Sequence, residues 1–414
     1  MFFNADYLYS AMELYKLQFM PVQEGIKGFY SLLKNPYFPT HYSHIGKNYE
    51  ALFEILERLS RAHQSDKFDI NEIVIDDKKV AITQAVVFAK PFCDLLYFSK
   101  SPSIQGQPKL LMVAPMAGHH ANLISDAISC LSPWFDVYVT DWKSACRVPL
   151  KEGSFTMDDY IDYIMEFVGY LGRGLNIMAV CQPAVPVLAA TSLLAEIDDP
   201  CVPDSLILMG GPIDARQNPT KVNEFALKHD IEWFENSLIT VVPANYPGFL
   251  RRVYPGFLQL MGFLSLNFEK HAQSHMDFFN DLVNNNAQEA QKHRKFYDRY
   301  FSAHDLPAEF YLQTVEEVFR KFSLAKGSLV SRNRLIDPLK IKNTALLCIE
   351  GEKDDITGVG QTKAALHLCK DLADSKKFYH LQEGVGHYGL FSGGKFRRNI
   401  APLITEFVYN NSKN

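Results

Sequence analysis

The strongest constraint in this 414-residue chain is a series of short, nearly all-apolar runs that recur between helical stretches. "KLLMVAP" (109–115), "DVYVTDW" (136–142), "LNIMAV" (175–180) and "DSLILMGG" (204–211) each end in small or turn-forming residues. "TALLCIEG" (344–351) and "KKFYHLQEG" (376–384) continue the series after a gap. A strand buried on one face alternates apolar and polar residues, whereas a strand buried on both reads as an unbroken apolar run. Such runs, separated by helices, imply right-handed crossovers and a parallel sheet covered on both sides. The fold class is therefore α/β, a mostly parallel sheet with helices on both faces.

Three other segments frame this sheet. Residues 1–65 read as an N-terminal helical segment, with Leu52, Ile55, Leu56 and Leu59 on one face of "YEALFEILERLSRA". "INEIVID", "KKVAITQAVVFAK" and "CDLLYFSK" are short and rich in β-branched or aromatic residues, with a turn at Asp76-Asp77. Residues 215–335 differ in texture: "VVPANYPGFLRRVYPGFLQLMGFLSLNF" is followed by polar helical stretches. They read as a helical cap or lid inserted between two consecutive sheet strands, so the core is expected in 66–214 and 336–414.

Composition narrows the function. Hydrophobic residues at 47% and charged residues at 21% are those of a globular protein. A net charge of −5 offers nothing to nucleic acid, so no nucleic-acid partner is expected. Seven cysteines without a C-x-x-C pair argue against a disulfide framework or a structural zinc site, and for a reducing, cytoplasmic compartment. H-E-x-x-H is absent and "GVGQTK" (358–363) lacks the spacing of a phosphate-binding loop, so neither metal nor cofactor is expected. The start lacks a secretory pattern and no apolar run reaches membrane-spanning length, so no transmembrane segment is expected.

Open parallel sheets bind ligands outside the carboxyl ends of their strands, and three such ends bear reactive side chains. Cys181 follows "LNIMAV" and precedes the helical "QPAVPVLAATSLLAEI". Strand, nucleophile, helix is the context of a nucleophile elbow, with A-V-C-Q-P in place of G-x-S-x-G and the small Ala179 and Pro183 in place of the glycines. A helix N-terminus beside the sulfur favours its thiolate. The alternative for a lone cysteine is a buried core thiol. "TALLCIEGEKDDITG" delivers Asp354 and Asp355 behind Gly351, as catalytic acid or as caps of a following helix. "KKFYHLQEGVGHYGLFSGG" delivers His387, as catalytic base or as an ordinary loop histidine. The match of G-V-G-H-Y-G (384–389) to a dinucleotide fingerprint leaves too little chain after Gly389 for a βαβ unit. The order nucleophile, acid, histidine, each after its own strand, is that of α/β-hydrolases.

Together "VCQPAVPVLAA", "VAPMAGHHANLI", "VYVTDWKSA", "GEKDDITG" and "EGVGHYGLFSG" resemble the intracellular polyhydroxyalkanoate (PHB) depolymerases over nearly the whole chain. These are cysteine-type α/β-hydrolases related to the polymer synthases. The resemblance implies hydrolysis of poly(3-hydroxybutyrate) to 3-hydroxybutyrate oligomers or monomer, at polymer granules in the cytoplasm. It makes Cys181 the nucleophile that forms a thioester, His387 the general base and acid, and Asp354 the group that orients His387. Asp354 is preferred to Asp355 because it stands three residues after Gly351. The oxyanion would be held by the backbone N–H groups of Gln182 and Met116. His119, His120, Asp355 and Trp142 are expected around the site, with Asp141 and Trp142 supporting it. Aromatics of the 240s to 260s either grip the polymer or fill the cap. The synthases resemble G-x-C-x-G, so Ala179 and Pro183 favour the depolymerase. A transferase on the same scaffold and a non-catalytic granule-binding protein are the alternatives, and a homo-oligomer is compatible with each.

Overall fold

The computed structural model describes residues 7–39, 41–61 and 68–412. The apolar runs form the centre of a nine-stranded sheet: β1 (Glu72–Ile75), β2 (Lys78–Ala89), β3 (Cys93–Ser101), β4 (Lys109–Val113), β5 (Asp136–Trp142), β6 (Leu175–Val180), β7 (Ser205–Met209), β8 (Ala345–Gly351) and β9 (Lys377–Gln382). Its order is β1-β2-β3-β5-β4-β6-β7-β8-β9. The pairs from β1 to β5 are antiparallel, and every pair from β5 through β4 to β9 is parallel. This is the α/β-hydrolase fold, preceded by one extra antiparallel strand.

Alternate residues of each central strand enter different cores. Leu111, Val113, Ile177, Ala179, Leu206 and Leu208 pack on one side of the sheet. Leu110, Met112, Met178, Val180, Ile207 and Met209 pack on the other. With both faces buried, these strands are apolar along most of their length, and the buried Ser205 hydroxyl donates to Asn176 Oδ1 at 2.7 Å.

Two long helices come first, α1 (Leu8–Leu33) and α2 (His44–Ser60). The expected end of this segment, at residue 65, lies outside the described residues. Helix α3 (Ser125–Leu131) and the last helix, Ala401–Asn411, contribute to one core; α4 (Met157–Leu171) and α5 (Ala184–Glu196) contribute to the other. A reciprocal cap between Thr156 and Asp159 starts α4. Eleven of the thirteen residues of α5 are buried. Its Thr191 and Ser192 hydroxyls are satisfied by the carbonyls of Val187 and Leu188, at 2.9 and 2.8 Å.

Between β7 and β8 lie α6 (Lys221–Lys228), α7 (Ile231–Leu238), α8 (Gly256–Leu266), α9 (Phe268–Val283), α10 (Ala287–Tyr300) and α11 (Ala308–Thr314). A small antiparallel sheet of Thr240–Val241, Arg252–Tyr254 and Leu306–Pro307 ties them together. Helix α2 docks on this insertion through a bidentate ion pair of Glu54 with Arg294 and a 2.6 Å contact of Arg58 with Asp298. Leu52, Leu56 and Leu59, which share one face of α2, are exposed. Among the described residues no helix is long and apolar enough to cross a membrane.

Candidate active site

The register aligns the carboxyl ends of the central strands: Val180 pairs with Met209, Met209 with Ile349, and Gly351 with Gln382. Residues that follow these ends therefore meet along one edge of the sheet.

Cys181 follows β6 in the left-handed region, at φ +67°. This conformation costs a side-chain-bearing residue about 1–2 kcal/mol, so its surroundings must enforce it. The Cys181 amide donates to the Met209 carbonyl at 2.7 Å, and its own carbonyl accepts from Ala184, the first residue of α5, at 3.1 Å. The chain thus turns from strand to helix within three residues, and the sulfur lines a cavity above the turn. Room for the turn comes from the end of β7. A Cβ on Gly211 would lie 2.1 Å from the Ala184 Cβ and 2.9 Å from the Cys181 oxygen. A Cβ on Gly210 would lie 3.2 Å from Cε1 of His387 and 3.4 Å from Asp354. The glycines that usually flank the nucleophile are replaced in function by this pair on the neighbouring strand. Gly211→Ala is expected to destabilise the fold by about 1–3 kcal/mol through overpacking, seen as a lowered Tm in thermal denaturation. An unchanged Tm would show that the elbow does not depend on this contact.

His387 opens a short 3-10 turn after β9. Its Nδ1 donates to Oδ2 of Asp354 at 2.8 Å, and both side chains are buried. Oδ1 of Asp354 accepts the N–H groups of Ile356 and Thr357, each at 2.9 Å, so the carboxylate is fixed at both oxygens. The Cys181 sulfur lines the same cavity as the His387 ring. Cysteine, histidine and aspartate from three strand ends thus gather in one place, with the histidine hydrogen-bonded to the aspartate. Asp355 turns the other way, accepting from the Asn267 amide and facing the Lys270 ammonium at 3.6 Å.

Burial opposes a charge on His387, but the Asp354 carboxylate and the Cys181 sulfur outweigh it and hold the ring's pKa well above the ordinary value. A histidine whose folded pKa is raised contributes stability that is fully present below the unfolded pKa, near 6.5, and is lost as pH rises through the folded value. Asp354→Asn is expected to move the His387 titration toward lower pH, followed by nitrogen NMR of the imidazole. A titration unmoved by this change would mean that Asp354 does not set the proton affinity of the ring.

The loop after β4 faces this triad. Pro115, Ala117 and His119 line the cavity. Met116 is buried, and its carbonyl accepts from Nε2 of His304. Burial, with His120 nearby, pushes the His304 pKa down to about 3, so the ring is neutral. Gln259 of α8 accepts from the Gly118 N–H at 2.8 Å and donates to the His304 carbonyl at 3.0 Å. The insertion therefore pins the loop at two points. Among the described residues, the N–H groups of Met116 and Gln182 have no intramolecular acceptor.

Of the four residues expected around the site, His119 lines the cavity and three do not. His119 meets the Tyr388 hydroxyl through Nε2 at 3.2 Å, and burial pushes its pKa down to about 3. His120 packs edge-on against the His304 ring, with centroids 4.9 Å apart. Trp142 is core: its indole donates to the Ala114 carbonyl at 3.0 Å and stacks on Tyr160. Asp355 is held by α8–α9 as described, and Asp141 pairs with Asp94 of β3. Sequence reasoning missed Gly210, Gly211, Gln259, His304 and Tyr388. Only the glycine doublet at the end of "DSLILMGG" left a local signal.

The cavity measures about 470 Å³ and is walled by Phe225, Tyr254, Phe263, Phe310 and Tyr311 of the insertion. That size and apolar lining suit a small-molecule or chain-segment site. Tyr254 and Phe263 place aromatics of the 240s to 260s at the cavity, whereas Tyr246 packs on Tyr9.

Residues 210–412 match the family described as PHB de-polymerase C-terminus. Curated relatives are named as poly(3-hydroxyalkanoate) polymerase subunits. The chain is 24% identical to the poly(3-hydroxyalkanoate) polymerase subunit PhaC of Synechocystis sp., over 66% of this chain and 68% of the relative. It is 23% identical to the subunit of the same name from Allochromatium vinosum, over 74% and 82%. Solved structures with a similar fold include a monoacylglycerol lipase from Paleococcus ferrophilus, with a TM-score of 0.44 and 11% identity over 80% of this chain and 99% of that one. Hypothetical protein PA2218 from Pseudomonas aeruginosa has a TM-score of 0.45 and 12% identity over 84% and 98%. The chain therefore has the α/β-hydrolase fold and is similar in sequence to polyhydroxyalkanoate enzymes.

Proposed function

We propose that this protein hydrolyses poly(3-hydroxybutyrate) of cytoplasmic granules through a Cys181–His387–Asp354 triad. The observation that carries this reading is the meeting of Cys181 and His387 at one apolar cavity, with His387 hydrogen-bonded to Asp354 behind it. The Cys181 thiolate attacks the ester carbonyl, and the N–H groups of Gln182 and Met116 receive the developing oxyanion. His387 gives its proton to the departing 3-hydroxyl oxygen, leaving an acyl thioester on Cys181. The ring then takes a proton from water as the oxygen attacks the thioester, and the thiolate leaves with the acid product free. Asp354 keeps Nδ1 protonated throughout, so that the other nitrogen faces the reaction. The cap, read as 215–335, supplies the apolar walls against which a methyl-bearing polyester segment lies.

The family description of residues 210–412 supports cleavage rather than synthesis, as do Ala179 and Pro183 where the synthases resemble glycine. A second reading, acyl transfer, is favoured by the two polymerase-subunit relatives, because a thioester passes its acyl group to an alcohol or to coenzyme A as well as to water. The test is release of 3-hydroxybutyrate from amorphous polymer granules by the purified chain, with and without coenzyme A. Release of free acid without coenzyme A is expected. A product formed only as its coenzyme A thioester, or growth of polymer from 3-hydroxybutyryl-coenzyme A, would replace hydrolysis by transfer.

A further inference from the structure

Building on the polyester reading above, we propose that the exposed apolar face of the α1–α2 hairpin is the surface by which this protein adsorbs to the water-insoluble polymer. Helix α2 exposes Ile45, Tyr49, Leu52, Leu56 and Leu59, each between 38% and 65%. Their spacing alternates four and three residues, which draws one stripe along the helix. Helix α1 exposes eight large apolar residues, seven of which, from Leu17 round to Phe19, fall within about 200° of its circumference at roughly 100° per residue. A surface helix ordinarily turns its apolar stripe to the core and its charges to water. Here the order is reversed: α2 turns Glu54 and Arg58 toward the insertion, onto Arg294 and Asp298, and leaves its leucines outside. Exposed apolar surface on this scale marks a binding face.

Charge and placement indicate what covers it. The charged residues of α1 are Glu13, Lys16, Glu24 and Lys27, two of each sign, and they share the remaining arc with Met20. A balanced helix suits a neutral polyester, whereas anionic lipid and nucleic acid draw basic residues. The hairpin also packs against the helices that lead to the cavity wall, α2 on α9 and α9 on α8. Helix α8 lines the cavity with Phe263 and Leu266 and exposes Met261, and Phe268 and Met276 of α9 are exposed beyond it. At the first turn of α1, the Tyr9 hydroxyl donates to buried Asp305 at 2.8 Å, whose second oxygen accepts the Gly256 N–H that opens α8. The preceding residue, His304, holds the Met116 carbonyl. Apolar side chains on four helices make a broader face than the single a/d stripe per helix of a coiled-coil seam.

The test combines Leu14→Glu, Leu17→Glu, Leu52→Glu and Leu56→Glu, all at exposed positions. Pelleting with protein-free amorphous poly(3-hydroxybutyrate) granules is measured in the Cys181→Ala background, so that the polymer stays intact. Cleavage of a soluble 3-hydroxybutyrate trimer is measured with Cys181 present. Adsorption is expected to fall about tenfold or more, a difference that one well-buried leucine already supplies, with trimer cleavage unchanged. Adsorption that persists in the quadruple variant, or a wild type that never pellets, would overturn the proposal. So would equal pelleting with phosphatidylcholine vesicles, which makes the face a lipid surface. A dimer by analytical ultracentrifugation that becomes monomeric in the variant would assign the face to a second copy of the chain. Lost adsorption with a trimer that neither protein cleaves would uphold the docking face and overturn the hydrolase reading alone.

Discussion

Cys181→Ala is expected to reduce release of 3-hydroxybutyrate from granules by roughly three orders of magnitude or more, while the folded state and granule adsorption persist. The expectation follows from geometry: the sulfur stands on a left-handed turn at the end of β6 and lines the same cavity as His387. Alanine keeps the backbone cost of that turn unchanged, so the loss reports chemistry rather than unfolding. Cys181→Ser sharpens the result. A hydroxyl has almost no tendency to ionise at neutral pH, so attack by serine would depend wholly on general-base activation by His387. Near-normal release from Cys181→Ala would remove the thioester mechanism altogether.

Asp354→Ala should lower turnover by about 10²- to 10⁴-fold, whereas Asp355→Ala should leave it within a few-fold of wild type. Adjacent in sequence, the two carboxylates face different partners. Asp354 accepts Nδ1–H of His387 at 2.8 Å; Asp355 accepts from Asn267. Removing the Asp354 carboxylate also strands the Ile356 and Thr357 N–H groups, at about 1–3 kcal/mol for a buried unsatisfied group. Asp354→Asn, which retains an acceptor oxygen for those amides, separates the two effects. A large turnover loss in Asp354→Asn with little loss of Tm assigns the defect to the histidine. A greater turnover loss in Asp355→Ala would assign the acid to the neighbouring carboxylate instead.

Much of this molecule was legible in the chain because its strongest signals are local. Unbroken apolar runs mean strands buried twice, and Leu110 to Val113 divide between the two cores in just that way. The gathering of Cys181, Asp354 and His387 was legible because each follows a strand, and parallel strands bring their carboxyl ends to one edge. The outcome for Leu52, Leu56 and Leu59 was not legible. Periodicity shows that a helix has an apolar face but not what, if anything, covers it. Trp142 and His120 were misplaced around the site for a related reason. Standing at a strand end or in a loop leaves the direction of a side chain open.

The sequence by itself determined the α/β architecture, the order of the strand-end residues Cys181, Asp354 and His387, and the presence of a large insertion before β8. Tertiary structure alone decided that Asp354 rather than Asp355 meets the histidine, and that Gly210 and Gly211 make room for the elbow on the adjacent strand. It also decided that His304 and Gln259 hold the loop bearing Met116. These contacts join residues up to 188 positions apart. Local propensity acts over a few residues, and only the packed chain selects which distant groups become neighbours.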